Sequence, residues 1–466
     1  MRTYSVVAWS LAFSTTAVSA RAQALSRAAL VNRIDSLATA FLANSHTPAI
    51  SVAVLRGSDT LVMKGYGDAS IEAHRAATAS TVYRIGSITK QFTSAAIMRL
   101  IERGKLSLED PMSKFLPDVP THGRTVTVRE LLNHTSGIHN YTADREWSKH
   151  WDEDLTPRQI VAFVDNDTLD FAPGTRWSYD NTGYVLLGMI IEKVTGEPYA
   201  KYLQHDLFTP LGLKSTSYCP SRPTDPSFAD GYTSATGSAK PAAYLSMTHP
   251  FSAGALCSTV RDLVVWQRAL AGGRVVNAKS YALMTTADTL NNGRRFSYGF
   301  GLVPGMLGTH RSIAHGGGVN GFTTSSIFFP DDSVNVVVFS NSDRGPDPTA
   351  LNIARVVLGI PLVAGPKPLV AVPLSDADRD RLPGIYDLAA PNGGTFVVHI
   401  IVENGQLMTQ AEGPGQGKFP LVHVGNLQFG AAFDPSLRVS FISENGKIAK
   451  LRLEQGGGAM EGPRRP

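Results

Sequence analysis

The sequence SITKQFTSAAIMRLIERG, residues 87–104, contains the only Ser-x-x-Lys of the chain and decides how the rest is interpreted. Its apolar residues predict a buried helix that Gly104 ends. Positions i and i+3 share one face of a helix, so Lys90 would stand beside the Ser87 hydroxyl and could take its proton. A helix N-terminus also presents free N–H groups to developing negative charge. Because ordinary composition produces about one such motif in a chain of this length, it needs support from elsewhere.

Two further segments carry groups that a serine nucleophile would need. Tyr179-Asp180-Asn181 is the only Tyr-x-Asn, and it lies in a loop just before a predicted helix. A tyrosine near a lysine can act as acid or base, and Asn181 can hydrogen-bond both the lysine and a substrate amide. His315-Gly316-Gly317-Gly318 is predicted on or at the end of a strand, where a backbone N–H could complete an oxyanion hole. Taken separately, the first segment also fits a loop tyrosine followed by a helix-capping asparagine, and the second fits a glycine-rich turn between strands.

Length and composition indicate an ordinary globular protein with a leader. The 466 residues allow two or three domains, and 43% of them are hydrophobic and 18% charged. The net charge of +4, with no run of Lys or Arg, argues against a nucleic-acid partner. Residues 1–24 resemble a secretory signal, with Arg2, a short apolar stretch and small-residue cleavage sites at Val18-Ser19-Ala20 or Ala22-Gln23-Ala24. No span of 18 apolar residues occurs, so we expect a secreted or periplasmic protein without a membrane span.

The two cysteines, Cys219 and Cys257, leave two alternatives open. In an exported protein a disulfide between them is favoured, and it would stabilise the fold mainly by restricting the unfolded chain. The other alternative is a pair of buried thiols.

The pattern of residues 25–360 predicts one α/β (α+β) domain. A helix over 25–42 and a hairpin of 50–55 with 61–66 precede the Ser87 helix, and a second hairpin and a last helix end the domain. The intervening helices are predicted at 127–133, 157–164, 183–194 and 259–270, the later strands at 298–303, 312–315, 322–329 and 334–339, and the last helix at 349–358. This order fits an antiparallel sheet built from both ends of the domain, flanked by helices and carrying a helical lobe.

Composition changes after residue 360. Prolines at 361, 366, 368 and 373 indicate a linker over residues 361–375. Short alternating strands are predicted at 384–388, 395–402, 406–410, 425–429, 438–442 and 448–453. We therefore expect a small all-β, barrel-like domain over residues 376–460.

Taken together, the three motifs resemble the active-site motifs of the serine β-lactamase and penicillin-binding-protein superfamily. The Tyr-x-Asn form is similar to the branch of class C β-lactamases, D,D-peptidases and esterases. The C-terminal strands resemble the lipocalin-like modules of some exported peptidases and esterases of this branch. Further segments also resemble the branch of class C β-lactamases, D,D-peptidases and esterases: Tyr83-Arg84-Ile85-Gly86-Ser87, Leu131-Leu132-Asn133-His134-Thr135-Ser136-Gly137, Pro173-Gly174, Pro210-Leu211-Gly212-Leu213 and Ser258-Thr259-Val260-Arg261-Asp262-Leu263.

The resemblance implies roles for the motif residues. Ser87 would be the acylated nucleophile, and Lys90 and Tyr179 would share the roles of general base and acid. Asn181 would orient Lys90 and the substrate amide, and the N–H groups of Ser87 and Gly318 would form the oxyanion hole. No metal or organic cofactor is required. The His134 segment is interpreted as a hydrogen-bonded structural loop.

His315 refines the expected substrate. Class C β-lactamases typically have lysine at this position, and a neutral histidine binds a substrate carboxylate poorly near pH 7. We expect an exported serine hydrolase of peptidase or esterase type acting on a small-molecule or peptide substrate. The alternatives are a true class C-like β-lactamase and a catalytically silent protein that binds β-lactams or wall fragments. The C-terminal domain could cover the cleft, bind a ligand or mediate assembly into an oligomer.

Overall fold

The structure is a computed structural model that describes residues 25–144, 146–166, 168–234, 238–362, 369–389, 395–403, 405–411, 418–431, 434–455 and 458–465. The predicted signal segment, residues 1–24, lies outside the described residues, as does part of the predicted linker. Among the helices of the described part, none is long and apolar enough to cross a membrane.

The helices and strands of the described chain have the following bounds. In chain order the helices are α1 (Arg27–Ser45), α2 (Thr89–Glu102), α3 (Val128–Leu132), α4 (Pro157–Ala162), α5 (Asn181–Thr195), α6 (Tyr199–Leu203), α7 (Thr209–Leu211), α8 (Phe251–Gly254), α9 (Val260–Ala271), α10 (Ala278–Thr285), α11 (Asp347–Leu358) and α12 (Asp376–Arg381). The strands of the first part are β1 (Ala49–Arg56), β2 (Asp59–Ser70), β3 (Arg75–Ala76), β4 (Tyr83–Arg84), β5 (Ser217–Tyr218), β6 (Tyr232–Thr233), β7 (Lys240–Pro241), β8 (Leu256–Ser258), β9 (Asp288–Thr289), β10 (Arg295–Phe296), β11 (Val303–Leu307), β12 (His310–Val319), β13 (Phe322–Phe329) and β14 (Val334–Ser340). The C-terminal strands are β15 (Gly384–Ala389), β16 (Thr395–Glu403), β17 (Gln406–Ala411), β18 (Phe419–Pro420), β19 (Val422–Gly425), β20 (Gln428–Ala431), β21 (Asp434–Glu444), β22 (Lys447–Gln455) and β23 (Gly458–Pro463).

A seven-stranded sheet in the order β11-β12-β13-β14-β1-β2-β3 forms the centre of the first part. All of its neighbouring strands are antiparallel, and β1 from the start of the chain pairs with β14 in the register Val52↔Val338. Both predicted hairpins, β1–β2 and β13–β14, are confirmed. The sheet is therefore assembled from both ends of this part, as the order of elements predicted.

Two apolar cores cover the two faces of the sheet. On one face α1 and α11 pack through residues such as Ile34 and Ile353 against Val336. On the other face lies the larger core with α2 and α9, where the Phe92 and Trp266 rings stack with centroids 3.9 Å apart. Since both faces are covered, the central strands are buried along their length rather than alternating between buried and exposed residues, as β14 illustrates.

The predicted strand at 298–303 is wrong, because strand pairing begins only at Val303. Gly301 has φ +70°, outside the strand region, and a Cβ at this position would lie 2.6 Å from the Lys90 carbonyl oxygen. The close approach to α2 turns the chain, and Tyr298 is left in a buried non-strand segment.

The C-terminal part is all-β apart from the short helix α12, which the sequence interpretation missed. Its two sheets, β15-β16-β17-β18 and β19-β20-β21-β22-β23, are joined where the Arg465 N–H donates to the Ile385 carbonyl at 2.7 Å. The core is apolar, and the Phe429 and Phe441 rings meet at right angles with centroids 5.4 Å apart. The predicted strand at 425–429 is wrong, because Asn426 and Leu427 have positive φ and turn the chain between β19 and β20.

Candidate active site

Ser87 lies at the point where the chain enters α2. It sits in a 3-10 turn, Gly86–Ile88, directly before the α-helix, so the expected helix start is confirmed within one turn. Gly86 has φ +52°, and a Cβ on it would lie 2.7 Å from the Gly318 nitrogen. Glycine is therefore needed at position 86 to bring the Ser87 turn against β12. The Ser87 side chain is partly exposed, while Lys90, one turn further, is completely buried.

The Lys90 ammonium nitrogen has three polar neighbours. Nζ lies 3.1 Å from Ser87 Oγ and donates to Asn181 Oδ1 and to the Ala253 carbonyl, both at 2.8 Å. Its side is lined by aromatic rings, with the Tyr179 centroid 4.8 Å away. A neutral amine has two N–H groups, and the two oxygen acceptors can take both, which leaves the lone pair directed at the Ser87 hydroxyl.

Asn181, the first residue of α5, is held in one orientation. Its Nδ2 lies 3.4 Å from both Asn140 Oδ1 and Thr142 Oγ1, so its Oδ1 is turned toward Lys90. The preceding residue, Asp180, caps α5 by accepting the Thr182 and Gly183 N–H groups at 2.7 and 2.9 Å. This cap fixes the start of α5 and with it the positions of Tyr179 and Asn181.

Burial controls the charges in this cluster. It depresses the pKa of Lys90 to about 7, and the Asp180 carboxylate opposes that change. Burial raises the pKa of Asp180 to about 7, against the effect of its hydrogen bonds from Gly183 and Thr182. Near pH 7 the lysine is therefore poised between its charged and neutral forms.

Tyr179 has the opposite tendency. Burial raises the pKa of its phenol well above the usual value, although a hydrogen bond with Ser87 acts in the other direction. The phenol therefore keeps its proton at neutral pH.

His315 is enclosed and neutral. Its Nδ1 lies 2.6 Å from the Gly316 carbonyl, which can only accept, so Nδ1 carries the proton and donates. Its Nε2 then accepts from the Tyr298 hydroxyl at 2.9 Å. Burial, followed by the Lys90 charge, lowers the pKa of His315 to about 4. The ring supplies no positive charge near neutral pH.

Beyond Ala314, the strand β12 has an open edge. Its pairing with β11 ends at Val303↔Ala314, whereas β13 follows it to Val319↔Phe322. The pair that closes a two-residue hairpin, here Val319↔Phe322, is hydrogen-bonded. The next pair, Gly318↔Thr323, is therefore a non-hydrogen-bonded pair, and the Gly318 N–H points away from β13 to the open edge. That edge lies against the Ser87 turn, because a Cβ on Gly86 would lie 2.7 Å from the Gly318 nitrogen.

The two cysteines are bonded to each other, and Cys257 lies opposite Arg84 in the strand pair β4–β8. Cys219 and Cys257 form a disulfide with their Cα atoms 5.1 Å apart, in a small buried cluster with Val82, Met247 and Ala255. The Cys219 N–H donates to the Ala255 carbonyl beside the strand pair β5–β8. The bridge thus links the end of β5 to β8, which follows the segment that supplies the Ala253 acceptor of Lys90.

Several contributing residues were not identified as part of the site from the sequence. Asp180 had a readable signal, since an Asp directly before a helix is a typical N-cap. Tyr298 had none, and Ala253 contributes only its backbone carbonyl. The sequence predicts a structural loop residue at His134, whereas its ring packs against Tyr179 with centroids 4.4 Å apart.

Within the described residues, no group of three or more His, Cys, Asp and Glu side chains has the arrangement of a metal site. What the cluster does contain is a partly exposed hydroxyl, a buried amine of lowered pKa, a protonated phenol and an open strand edge. Such a set can transfer an acyl group to the hydroxyl.

Comparisons with known proteins agree with this geometry. A family model described as Beta-lactamase matches residues 34–359. Penicillin-binding protein 4* of Bacillus subtilis (strain 168) is 30% identical over 333 residues, covering 67% of this chain and 73% of that protein. D-aminopeptidase of Gluconobacter oxydans (strain 621H) is 27% identical over 335 residues, covering 71% of this chain and 62% of that protein.

Solved structures extend the likeness to three dimensions. The octameric penicillin-binding protein homologue from Pyrococcus abyssi aligns with a TM-score of 0.67 and 26% identity, covering 92% of this chain and 99% of that one. D-amino acid amidase from Ochrobactrum anthropi SV3, complexed with D-phenylalanine, aligns with a TM-score of 0.63 and 26% identity, covering 71% of this chain and 99% of that one. This chain belongs to the beta-lactamase family, whose members include serine hydrolases.

Proposed function

We propose that this chain is an exported serine hydrolase that cleaves an amide or ester bond through an acyl-enzyme on Ser87. The observation that carries the proposal is the position of Lys90 Nζ, 3.1 Å from Ser87 Oγ, with its other two contacts on oxygen acceptors. An amine held in this way is oriented to accept one proton, that of the serine.

Lys90 is the general base in this proposal, and Tyr179 is the acid. The lysine pKa of about 7 makes the neutral amine available at neutral pH, whereas burial raises the tyrosine pKa and disfavours the phenolate. Ser87 Oγ bonds to the substrate carbonyl carbon as its proton passes to Lys90. The bond to the leaving amine or alcohol then breaks as that group takes the proton of the Tyr179 phenol, and Lys90 passes the serine proton on to Tyr179, which restores both groups.

The negative charge on the carbonyl oxygen would be stabilised by two backbone N–H groups, those of Ser87 and Gly318. The close approach of Gly86 to the Gly318 nitrogen supports their convergence, as does the open edge of β12. Water then attacks the acyl carbon as it gives a proton to Lys90, the bond to Ser87 Oγ breaks, and Lys90 passes that proton to the serine. No metal or organic cofactor enters either half of the cycle.

A peptidase or esterase activity is favoured over an efficient penicillinase. The β-lactam carboxylate would find a neutral ring at His315, whose two nitrogens already serve the Gly316 carbonyl and the Tyr298 hydroxyl. Burial lowers the pKa of His315 to about 4, so a charged imidazolium is not available near pH 7. The D-aminopeptidase and D-amino acid amidase relatives point to amides of D-amino acids as the first substrates to test.

The test compares wild type with Ser87→Ala on three substrates: p-nitrophenyl acetate, D-phenylalanine p-nitroanilide and nitrocefin. We expect wild type to hydrolyse the anilide or the ester, and Ser87→Ala to lose at least about a thousandfold in kcat/KM. Mass spectrometry of the quenched wild type should place an acyl adduct on Ser87. Hydrolysis of none of the three and no adduct would contradict the proposal, and a dominant rate on nitrocefin would instead identify a true β-lactamase.

Export is proposed from residues 1–24 alone. Expression of the full chain in a bacterial host should yield a periplasmic or secreted protein whose N-terminus follows Ala20 or Ala24. A chain that stays in the cytoplasm with Met1 and Arg2 intact would rule out the signal peptide.

A further inference from the structure

We propose that His134 is a positioning residue that holds the Tyr179 phenol in place beside Ser87. This inference rests on the proposed function, because it concerns the geometry of the acid in the same reaction. It adds a residue outside the three motifs, from the segment Leu131-Leu132-Asn133-His134-Thr135-Ser136-Gly137.

His134 binds the backbone on both sides of Tyr179. The Ser178 N–H donates to the His134 carbonyl at 3.0 Å, and the Asp180 N–H donates to His134 Nδ1 at 3.1 Å. We call this pair of bonds the His134 clamp. Because it fixes residues 178 and 180, the clamp sets the direction in which the Tyr179 side chain leaves the backbone.

The His134 ring also packs on the Tyr179 side chain itself. The two ring centroids are 4.4 Å apart, and the ring planes are inclined by 39°. The rings of Tyr298 and Tyr184 approach the same imidazole at 4.6 and 5.1 Å. Three tyrosines therefore surround one histidine, which is 1% exposed. Since Tyr298 also donates to His315, the packing connects the Tyr179 loop to β12.

The position demands properties that histidine combines. Its φ is +64°, a region that Asn, Asp and His tolerate better than other side chains. Nδ1 must be an unprotonated acceptor, and burial, with the nearby Lys90 charge, lowers the pKa of His134 well below its usual value. The proton then lies on Nε2, a buried atom for which the described protein provides no hydrogen-bond partner. An N–H among aromatic rings can interact with their π faces, so this arrangement suits the neutral ring.

Two variants separate the acceptor of the clamp from the packing of the ring. His134→Asn keeps a side-chain acceptor near Nδ1 and tolerates positive φ, but it removes the ring. His134→Phe keeps a ring and removes the acceptor. We expect His134→Phe to lower kcat for D-phenylalanine p-nitroanilide by about 10- to 100-fold, because small displacements of a reacting group have effects of this size. His134→Asn should retain more activity than His134→Phe, with KM little changed in both.

The discriminating measurement is a double-mutant cycle with Tyr179→Phe. If His134 acts through Tyr179, then His134→Phe should lower kcat by less than about threefold once the phenol is absent. The effect should also be larger on the anilide than on p-nitrophenyl acetate, whose leaving group needs little protonation. If His134 were merely structural, His134→Phe would lower kcat equally for both substrates, and its effect would be additive with that of Tyr179→Phe. Either result would overturn the proposal.

His249→Phe is the matched control. His249 is also completely buried, but its ring nitrogens serve Trp147 Nε1 and the Glu153 carbonyl, both at 2.8 Å. We expect its effect on kcat to be additive with Tyr179→Phe. Thermal unfolding of each variant identifies any that fail to fold. If His134→Phe does not fold, His134→Asn, which removes the ring that packs on Tyr179, replaces it in the double-mutant cycle. If wild type hydrolyses nothing, the proposed function fails and the clamp fails with it, whereas an active wild type with an additive cycle overturns the clamp alone.

Discussion

The surroundings of Ser87 and the C-terminal strands β15–β23 differ in what they bury. Around Ser87 the interior holds a lysine, an aspartate and two histidines, namely Lys90, Asp180, His134 and His315. In the described residues of β15–β23, Thr409 is the one buried polar or charged residue apart from Tyr386, whose hydroxyl donates to the Leu382 carbonyl. The first region has ionisable groups whose pKa values burial has moved, and the second has an apolar core.

This difference indicates where chemistry can occur. Burying an ionisable group is unfavourable unless it is paired, and folding alone does not require it. A protein that buries four such groups beside one partly exposed hydroxyl can use them to move protons. The apolar filling of the described residues of β15–β23 instead contributes stability.

The largest expected effect is on activity and belongs to the first region. Lys90→Met should lower kcat/KM by about 10²- to 10⁴-fold, since it removes the proposed base. It also leaves Asn181 Oδ1 and the Ala253 carbonyl without their donor. The exposed Lys105→Met is the control and should behave as wild type. Retention of more than a tenth of wild-type kcat/KM in a folded Lys90→Met protein would remove Lys90 from the mechanism.

The second prediction tests whether the C-terminal core is separate from the chemistry. Phe441→Ala deletes a ring that meets both Phe429 and Tyr386 edge-on, so it should lower the free energy of unfolding by about 3–5 kcal/mol. At temperatures where the protein stays folded, kcat should change by less than about threefold. Phe92→Ala, on α2 after Ser87, is the matched variant and should lower both quantities. Loss of activity in folded Phe441→Ala would place the C-terminal strands in the catalytic assembly.

Adjacent glycines of β12 provide a third, smaller comparison. A Cβ on Gly317 would lie 2.0 Å from the Ile85 carbonyl oxygen, whereas a Cβ on Gly318 meets nothing within 4 Å. Gly317→Ala should therefore lower the free energy of unfolding by about 1–3 kcal/mol, and Gly318→Ala should change it by less than about 0.5 kcal/mol. Chemical denaturation measures both. Equal stability of the two variants would mean that the Ser87 turn does not press on β12 as described.

Much of the fold could be predicted from the sequence because its signals are local. The apolar run after Lys90 and the turn residues between β13 and β14 lie within a few positions of the elements they specify. The three motifs could likewise be assigned to one cluster by resemblance. The wrong strand at 298–303 shows the limit, because the apolar pattern there reflects burial against α2 rather than pairing.

The polar contacts that complete the site could not be predicted in this way. His134 and Asp180 are far apart in sequence, and nothing in either segment indicates that Nδ1 accepts the Asp180 N–H. Tyr298 reaches His315 from a non-strand segment in which Gly301 lies close to α2. A backbone acceptor such as Ala253 has no side-chain signature at all. These contacts follow from the tertiary fold rather than from any local pattern.

The smallest expected effect is a shift of a pH profile, produced by Asp180→Asn. Asparagine still caps α5, but it removes the anion that favours the Lys90 ammonium and opposes the effect of burial on the lysine pKa. Without that anion the lysine loses its proton at lower pH. The acid limb of kcat/KM, which we expect near pH 7 in wild type from the Lys90 pKa of about 7, should move to lower pH by on the order of one unit. Initial rates from pH 5 to 9 measure this, and an acid limb that stays in place or moves to higher pH would show that the buried carboxylate does not control the base.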